Sequence, residues 1–175
     1  MESSLTLNKG VHEDKFCKKA LKEFIQILYT NADGLSNTID ELNTRINETF
    51  SEIIAICEIK LNDDIGNEVM PKNYMIIRKD RSWSRGGVCI MVHEDLNSKV
   101  FTDLNCVDAG NTDHLWCEIS TKDGMNMIVI GLIYRPPNNN HEDDSKLNSL
   151  LIVAEQCTIK KQLLVLGDFQ IYDGI

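Results

Sequence analysis

Three short apolar segments, widely separated along the chain, each run into an acidic residue. Residues 24–30 are β-branched and aromatic and lead into a turn-like segment that contains Asp33, and residues 53–57 lead directly to Glu58. Residues 163–166 are likewise apolar and lead, through one glycine, to Asp168. Short apolar runs of this composition predict buried strands. The sequence therefore predicts three strands, each with a carboxylate at or just past its end.

The segment between the first two strands has the pattern of an amphipathic helix over residues 38–50. Its apolar residues Ile39, Leu42, Ile46 and Phe50 recur at steps of three, four and four, which places them on one helix face. Thr38 precedes Glu41 by three residues, which is the spacing of a capping box. Strand, helix and strand in this order predict a parallel crossover. Such a crossover brings Asp33 and Glu58 to one edge of the sheet, where ligands bind in α/β proteins.

The remaining segments predict an antiparallel, meander-like region followed by a helix and the last strand. Residues 121–124 have the composition of a hairpin turn, and residues 145–157 have a helical apolar face. We expect residues 1–22 to form a polar leader with a short helix around residues 16–21, and residues 23–175 to form one domain. The predicted strands of the meander are residues 74–77, 87–92, 99–103, 115–120 and 125–134.

The charge balance is acidic, with 27 Asp and Glu against 18 Lys and Arg and a net charge of −9. This speaks against passive binding to a phosphate backbone, which depends on clustered Lys and Arg. It does not exclude a nuclease that combines a carboxylate metal site with a local basic rim. The short basic clusters at residues 79–85 and 160–161 are best interpreted as solvated surface.

Cysteine and hydropathy patterns indicate an intracellular protein without a membrane segment. No two of the six cysteines have C-x-x-C spacing, and Cys57, Cys89 and Cys117 lie in apolar runs. We therefore expect buried thiols rather than disulfides or a zinc site. No apolar run approaches the roughly 20 residues of a membrane helix, and residues 1–10 lack the apolar stretch of a secretory signal. The four histidines, which lie in polar contexts, are not expected to be catalytic: His12, His93, His114 and His141.

The three acids suggest a metal site, with a simpler alternative. Clustered carboxylates repel one another, and a hard divalent cation offsets that repulsion. Asn31 and Gln170 lie beside two of the acids and could complete such a site. In the alternative, each acid ends a strand and faces solvent and Asn31 is an ordinary turn residue. Tyr134, at the end of a predicted strand, could equally pack in the core.

Six short motifs, in a fixed order along the chain, resemble the endonuclease/exonuclease/phosphatase family. The resemblance is closest to the endonuclease domain of non-LTR retrotransposons and covers roughly residues 24 to 172. The Tyr-Arg-Pro-Pro-Asn motif points to retrotransposons rather than repair enzymes. The six motifs are residues 29–35, 56–60, 85–88, 115–118, 133–138 and 166–170.

This resemblance implies a fold and an activity. The fold is a two-sheet α/β sandwich with flanking helices, like that of deoxyribonuclease I. The activity is Mg²⁺-dependent nicking of DNA, with Mn²⁺ as an alternative metal. The full-length parent would also carry a reverse transcriptase, and the family implies a nuclear location.

The resemblance also assigns a role to each candidate site residue. Glu58 would be the main protein ligand of the metal, and Asp33 would lie near it. Asn31 would orient the attacked phosphate or the metal-bound waters. Tyr134 would contact the phosphate or the leaving oxygen. Asp168 would position and deprotonate the attacking water.

Two departures from the family pattern leave other functions open. Gln170 stands where the family has the orienting Asn, and its extra methylene moves the amide by more than about an ångström, where rate depends on accurate positioning. The sequence also ends at Ile175, before the family's C-terminal Asp-His pair. We therefore expect a C-terminally incomplete fold with weak or no activity. The alternatives are a catalytically impaired remnant and a small-molecule phosphodiesterase or phosphatase.

Overall fold

The chain forms two four-stranded sheets and three helices in a computed structural model that describes residues 24–61, 70–81, 85–124 and 127–169. The strands of the first sheet are β1 (Ile27–Asn31), β2 (Ile53–Cys57), β3 (Tyr74–Lys79) and β4 (Val88–His93). Those of the second are β5 (Leu96–Val100), β6 (Asp113–Thr121), β7 (Met127–Tyr134) and β8 (Gln162–Asp168). The helices are α1 (Leu35–Thr49), α2 (Thr102–Asn105) and α3 (His141–Cys157).

Each sheet contains one parallel pair of strands at one of its edges. The first sheet has the order β1-β2-β4-β3, with β1 parallel to β2 and the other pairings antiparallel. The second has the order β5-β6-β7-β8, with β7 parallel to β8. Helix α1 makes the crossover from β1 to β2, which confirms the predicted strand–helix–strand unit, and α3 makes a second crossover from β7 to β8.

The two sheets pack face to face and each helix covers an outer face. The shared core between the sheets takes alternate residues of the central strands, such as Ala55 and Cys57 from β2 and Cys117 from β6. The other face of the first sheet packs against α1, and that of the second against α2 and α3. The architecture is therefore the predicted two-sheet α/β sandwich with flanking helices.

The start and end of α1 differ from the sequence prediction. The helix begins at Leu35 with Gly34 as its N-cap, and the capping box predicted at Thr38 is wrong. The Thr38 hydroxyl instead donates within the helix, 3.5 Å from the carbonyl oxygen of Gly34. Asp33 and Gly34 have φ of 46° and 107°, so the chain turns sharply and enters the helix three residues earlier than predicted. At the other end, Phe50 adopts a left-handed conformation and is 73% exposed, so it does not extend the apolar stripe.

The predicted meander is divided between the two sheets. β3 and β4 pair in the first sheet, whereas β5, β6 and β7 form a meander in the second. The strand predicted at residues 99–103 is wrong in its bounds, because β5 ends at Val100 and α2 follows. The predicted turn is present, with the Gly124 amide donating to the Thr121 carbonyl oxygen at 2.8 Å.

Helix α3 begins four residues before the predicted start because Asn140 caps it. The Asn140 side chain accepts from the Asp143 backbone, and the Asp143 carboxylate accepts from the Asn140 backbone. The acidic residues at 142–144 thus lie in the first turn, where the helix dipole favours negative charge.

Among the described residues, three cysteines and one histidine are buried. Cys57, Cys89 and Cys117 are fully buried. His114 is also buried, within β6, and His93 ends β4, so neither occupies the polar loop that the sequence suggested. None of the helices in the described part of the chain is long and apolar enough to cross a membrane. The short helix around residues 16–21 and the site residue Gln170 lie outside the described residues.

Candidate active site

The ends of four strands meet at one edge of the sandwich and bring four of the predicted site residues together. β1 ends in Asn31, which is in register with Cys57, so Glu58 follows directly on the neighbouring strand. In the second sheet Tyr134 ends β7 and is in register with Asp168, which ends β8. Because both pairs are parallel and the sheets face each other, all four side chains lie at the same edge.

The Asn31 amide joins the two sheets at this edge. Its Nδ2 donates to Glu58 Oε1 at 2.9 Å and to Asp168 Oδ2 at 3.1 Å. Its Oδ1 accepts from the Asp33 backbone N–H at 3.1 Å, which fixes the direction in which the amide points. Asn31 thereby does more than form the turn that the alternative interpretation gave it, because it holds two carboxylates from different sheets side by side.

Tyr134 adds a hydroxyl to the same group. The tyrosine is only 8% exposed, and its hydroxyl makes a hydrogen bond with the Glu58 carboxylate. Burial, reinforced by the negative charge of Glu58, raises the pKa of Tyr134 to about 12. The hydroxyl is therefore protonated at neutral pH and acts as a donor.

The Asp33 carboxylate pairs with a lysine rather than with the Asn31 amide. This lysine is Lys60, whose Nζ also lies 3.7 Å from Glu58 Oε2. The hydrogen bond to Asp33 raises the pKa of Lys60, so the lysine stays positively charged. Asp33 therefore lies beside Glu58 at the same edge, with Lys60 between the two carboxylates, and only Glu58 and Asp168 share the Asn31 amide.

Strained backbone is concentrated here. Asp33, Glu58 and Lys60 all have positive φ, at 46°, 54° and 47°, a conformation that non-glycine residues seldom adopt. Such strain persists only where the surrounding structure enforces it, and it clusters at functional sites.

A buried thiol lies beneath the carboxylates. Cys57 Sγ donates to the Ile133 carbonyl oxygen at 3.5 Å, and the Tyr29 hydroxyl and the Asp168 backbone lie close to the thiol. Burial raises the pKa of this thiol to about 12, so it is neutral and serves as a hydrogen-bonding group. Cys57 therefore links the strands that carry Asn31, Glu58, Tyr134 and Asp168.

Gly167 allows β8 to approach β7 just before Asp168. Its φ is 156°, and a Cβ at this position would lie 2.0 Å from the Ile133 carbonyl oxygen. Any larger residue would displace β8 and with it the Asp168 carboxylate.

A cavity of about 440 Å³ opens beside Glu58 and Tyr134. Its lining carries three cationic side chains and the loop that follows Tyr134. The residues are Glu58, Lys60, Arg81, Arg85, Asn111, Tyr134, Pro136, Pro137 and Asn138. We name it the arginine cavity. The basic sequence around Arg81 and Arg85 predicts solvated surface, and only the fold places these arginines near the carboxylates.

Two polar networks hold the arginine cavity in shape. Arg135, 6% exposed at its side chain, makes a bidentate pair with Asp144 of α3 at 2.8 and 3.0 Å, which fixes the loop after Tyr134. Arg81 donates to Asn111 and lies 3.6 Å from the Asp113 carboxylate.

The donor set at the strand ends suits a hard divalent cation. The carboxylate oxygens of Glu58 and Asp168 are the type of ligand that Mg²⁺ prefers, and Mg²⁺ uses only one or two carboxylates besides water and phosphate oxygens. Among the described residues no group of three His, Cys, Asp or Glu side chains is placed to hold a metal ion. The fit to Mg²⁺ or Mn²⁺ therefore rests on the type of donor, two carboxylates, and not on a complete ligand shell.

Comparison with known proteins identifies the fold. No protein-family model and no curated protein matches the sequence. Among solved structures, the endonuclease domain of TRAS1, a telomere-specific non-LTR retrotransposon, is 17% identical with a TM-score of 0.61, over 83% of this chain and 58% of that one.

Two further structures are similar. TDP2 of D. rerio, complexed with a single-strand DNA product, is 14% identical with a TM-score of 0.64, over 85% of this chain and 62% of that one. An endonuclease/exonuclease/phosphatase family protein from Bacteroides thetaiotaomicron is 12% identical with a TM-score of 0.59, over 84% and 62%. The fold is therefore that of the endonuclease/exonuclease/phosphatase structures, and the chain spans about three fifths of the length of these three proteins.

Proposed function

We propose that the chain is a metal-dependent phosphodiesterase that nicks DNA, in the manner of a non-LTR retrotransposon endonuclease. The observation that carries this proposal is the Asn31 amide, which holds Glu58 and Asp168 together at the carboxyl ends of parallel strands. Hydrolysis of a phosphodiester needs a positioned water, a base to take its proton, and positive charge near the phosphate. Each of these requirements has a candidate at this edge.

Asp168 is our candidate for the base. One oxygen of its carboxylate accepts from Asn31 Nδ2 at 3.1 Å. The other oxygen would take the proton of the water that attacks the phosphorus. Tyr134 keeps its proton at neutral pH and donates it in a hydrogen bond, which suits contact with a phosphate oxygen.

We assign the metal to Glu58, with Asp168 close enough to contribute, since both carboxylates accept from the same Asn31 amide nitrogen. Mg²⁺, or Mn²⁺ in its place, would supply positive charge to the phosphate oxygens where negative charge develops. Lys60 adds a fixed positive charge on the other side of Glu58, and we propose that Asp33 acts by holding Lys60 there rather than as a ligand. Gln170 is proposed as an orienting amide on the motif alone.

DNA and a retrotransposon context are supported by two independent observations. The motifs from Tyr29 to Gln170 follow the order of retrotransposon endonucleases. The fold is shared with the TRAS1 endonuclease domain and with TDP2 bound to a DNA product. A reverse transcriptase partner in a longer parent protein and a nuclear location are extensions of the same proposal.

Nicking of supercoiled plasmid in Mg²⁺ tests this function. The native chain should convert supercoiled to open-circular DNA, and Glu58→Gln should abolish the reaction while leaving the fold intact. Glu118→Gln is the matched control, because Glu118 is a half-buried carboxylate paired with Lys161, away from the strand ends that form the site. The proposal fails if the purified native chain has no metal-dependent activity on DNA, or if Glu58→Gln nicks as fast as the native chain.

A further inference from the structure

The Arg135–Asp144 ion pair, which has no part in the proposed function, lies directly behind the strand ends of the site. Arg135 follows Tyr134 in the chain, and its backbone N–H donates to the Asp168 carbonyl oxygen at 3.0 Å. We propose that this ion pair is a positioning device, which holds the Tyr134 hydroxyl and the Asp168 carboxylate in the relative positions that nicking requires. The inference rests on the proposed function and deepens it, because it assigns a role to the arginine of the Tyr-Arg-Pro-Pro-Asn motif.

The guanidinium of Arg135 is buried and makes two parallel hydrogen bonds. Its Nε donates to Asp144 Oδ1 at 2.8 Å, its Nη2 donates to Asp144 Oδ2 at 3.0 Å, and the side chain is only 6% exposed. A bidentate pair fixes the plane of the guanidinium as well as its distance from the carboxylate. The guanidinium points at α3, whereas Arg81 and Arg85 line the arginine cavity. Arg135 is therefore a positioning residue that acts through its neighbours.

The sequence after Arg135 makes a side-chain anchor necessary. Pro136 and Pro137 have no backbone N–H, so neither can donate a hydrogen bond to a neighbouring strand. A backbone contact within this loop is local, from the Asn139 N–H to the Pro136 carbonyl oxygen at 3.2 Å. The Arg135 side chain therefore anchors the chain at the point where β7 leaves the sheet.

Helix α3 gives the arginine a fixed partner. Asp144 lies in the first turn of this helix, and its backbone N–H donates to the Asn140 carbonyl oxygen at 3.0 Å. Leu147 and Leu150 of the same helix are buried against the outer face of the second sheet. The hydrogen bonds from Arg135 lower the pKa of Asp144, so its carboxylate is ionised at neutral pH. The ion pair thus ties the end of β7 to a helix that is packed on the same sheet.

A displacement of Arg135 would move both site residues together. Tyr134 is its covalent neighbour, and the Asp168 carbonyl group is hydrogen-bonded to its backbone. A misplacement of about 1 Å, caused by a change far from the reacting atoms, can cost about 10²-fold in rate. The ion pair therefore affects the chemical step without contacting DNA, and its loss should lower kcat with little change in KM.

Nicking of supercoiled plasmid in Mg²⁺, with kcat and KM measured separately, tests the inference. Arg135→Lys keeps the positive charge but cannot donate two parallel hydrogen bonds, and Asp144→Asn removes one of the two acceptors. Each should lower kcat about 10- to 100-fold and change KM less than about 3-fold. Asp144→Glu retains a carboxylate that can accept both bonds, and it should lose less rate than Asp144→Asn. Leu150→Ala is the control, because it destabilises the same helix through packing alone and should lower the urea midpoint without a comparable loss of kcat.

Hydrogen exchange gives a readout that does not depend on turnover. Asp144→Asn should speed exchange of the Arg135 amide, which is bonded to Asp168, about 10-fold relative to the Ile130 amide in the middle of β7. Equal exchange in the native chain and in Asp144→Asn would overturn the inference, whether or not DNA is nicked. If DNA is nicked but the ion-pair variants lose no more kcat than Leu150→Ala does, the inference is again overturned and the proposed function stands. If the native chain does not nick DNA but Asp144→Asn speeds exchange at Arg135, the proposed function fails and the ion pair keeps its role of holding the two strand ends.

Discussion

Replacing Asn31 by alanine is the most direct way to test how the site is organised. The substitution removes the amide that contacts both Glu58 and Asp168, and it leaves the backbone of β1 able to pair as before. The two carboxylate oxygens lie at 2.9 and 3.1 Å from the same nitrogen, so they can be no more than about 6 Å apart.

The expected magnitude follows from this geometry. At about 6 Å and an effective dielectric constant of about 20, two unit negative charges repel by roughly 3 kcal/mol. The Asn31 amide offsets this repulsion through two charge-assisted hydrogen bonds, and without it the carboxylates can turn apart into solvent, which recovers part of the loss. We therefore expect Asn31→Ala to lower the free energy of unfolding by about 1–2 kcal/mol without metal. Because it removes one preorganised donor, it should also slow nicking about 10²- to 10³-fold.

The assays are urea unfolding without metal and single-turnover nicking of plasmid in Mg²⁺. Asn31→Asp retains the side-chain shape but adds a third negative charge, and it should destabilise the metal-free chain by more than Asn31→Ala does. Asn97→Ala is the control, because the Asn97 amide bonds to the Thr121 carbonyl oxygen on β6, away from the site. Native urea midpoints and nicking rates for both Asn31 variants would refute the bridging role.

Two further predictions concern buried groups. Burial, with the positive charge of Lys79, lowers the pKa of His114 from 6.5 to about 4, so the unfolded chain binds more protons between those values. The free energy of unfolding should therefore fall as pH drops from 6.5 to 4, by at most about 3 kcal/mol from this group. His114→Gln should remove that part of the slope in urea titrations at pH 7 and 4.5, and an unchanged slope would contradict the assignment. Cys57→Ala should slow nicking about tenfold while Cys57→Ser, which keeps a donor and an acceptor, restores most of the rate. Cys117→Ala, another buried thiol of the same core, should lower the urea midpoint without a comparable loss of rate, and equal rate losses for Cys57→Ala and Cys117→Ala would show that Cys57 acts only through packing.

The strand ends of the site could be predicted because they depend on local composition. β2 is buried on both faces, between α1 and the second sheet, so every residue from Ile53 to Cys57 must be apolar. Such a run is visible in the sequence, and so is the first polar residue after it, Glu58. Apolar runs also located Asn31 at the end of β1 and Asp168 at the end of β8, although both are edge strands that are only partly buried, not the buried strands that the sequence predicts.

The distribution of the strands between the two sheets could not be predicted from the sequence in the same way. β4 and β6 are both buried on both faces, so neither shows the alternation of polar and apolar residues that would reveal its partner. The arginine cavity was missed for a related reason. Arg81 and Arg85 lie in a short, polar, basic segment whose sequence is typical of solvated surface, and only the pairing of β6 with β7 brings Asp113 and Tyr134 beside it.

The position of the Asp33 carboxylate depends on backbone conformation, which the composition of the sequence does not reveal. Asp33 and Glu58 both follow an apolar strand, but Glu58 is the first residue after β2, whereas Asp33 is the second after β1. That extra residue, with the positive φ of Asp33 itself, turns its carboxylate away from the Asn31 amide. Lys60 reaches it because Glu58 and Lys60 also have positive φ, which folds the segment after β2 back toward the turn after β1. Lys60 is thus shared by Asp33 and Glu58, while Glu58 and Asp168 share one amide donor. Three carboxylates beside one lysine still carry excess negative charge, and that excess is the physical reason to expect a divalent cation at this edge, which we propose is held by Glu58 and Asp168.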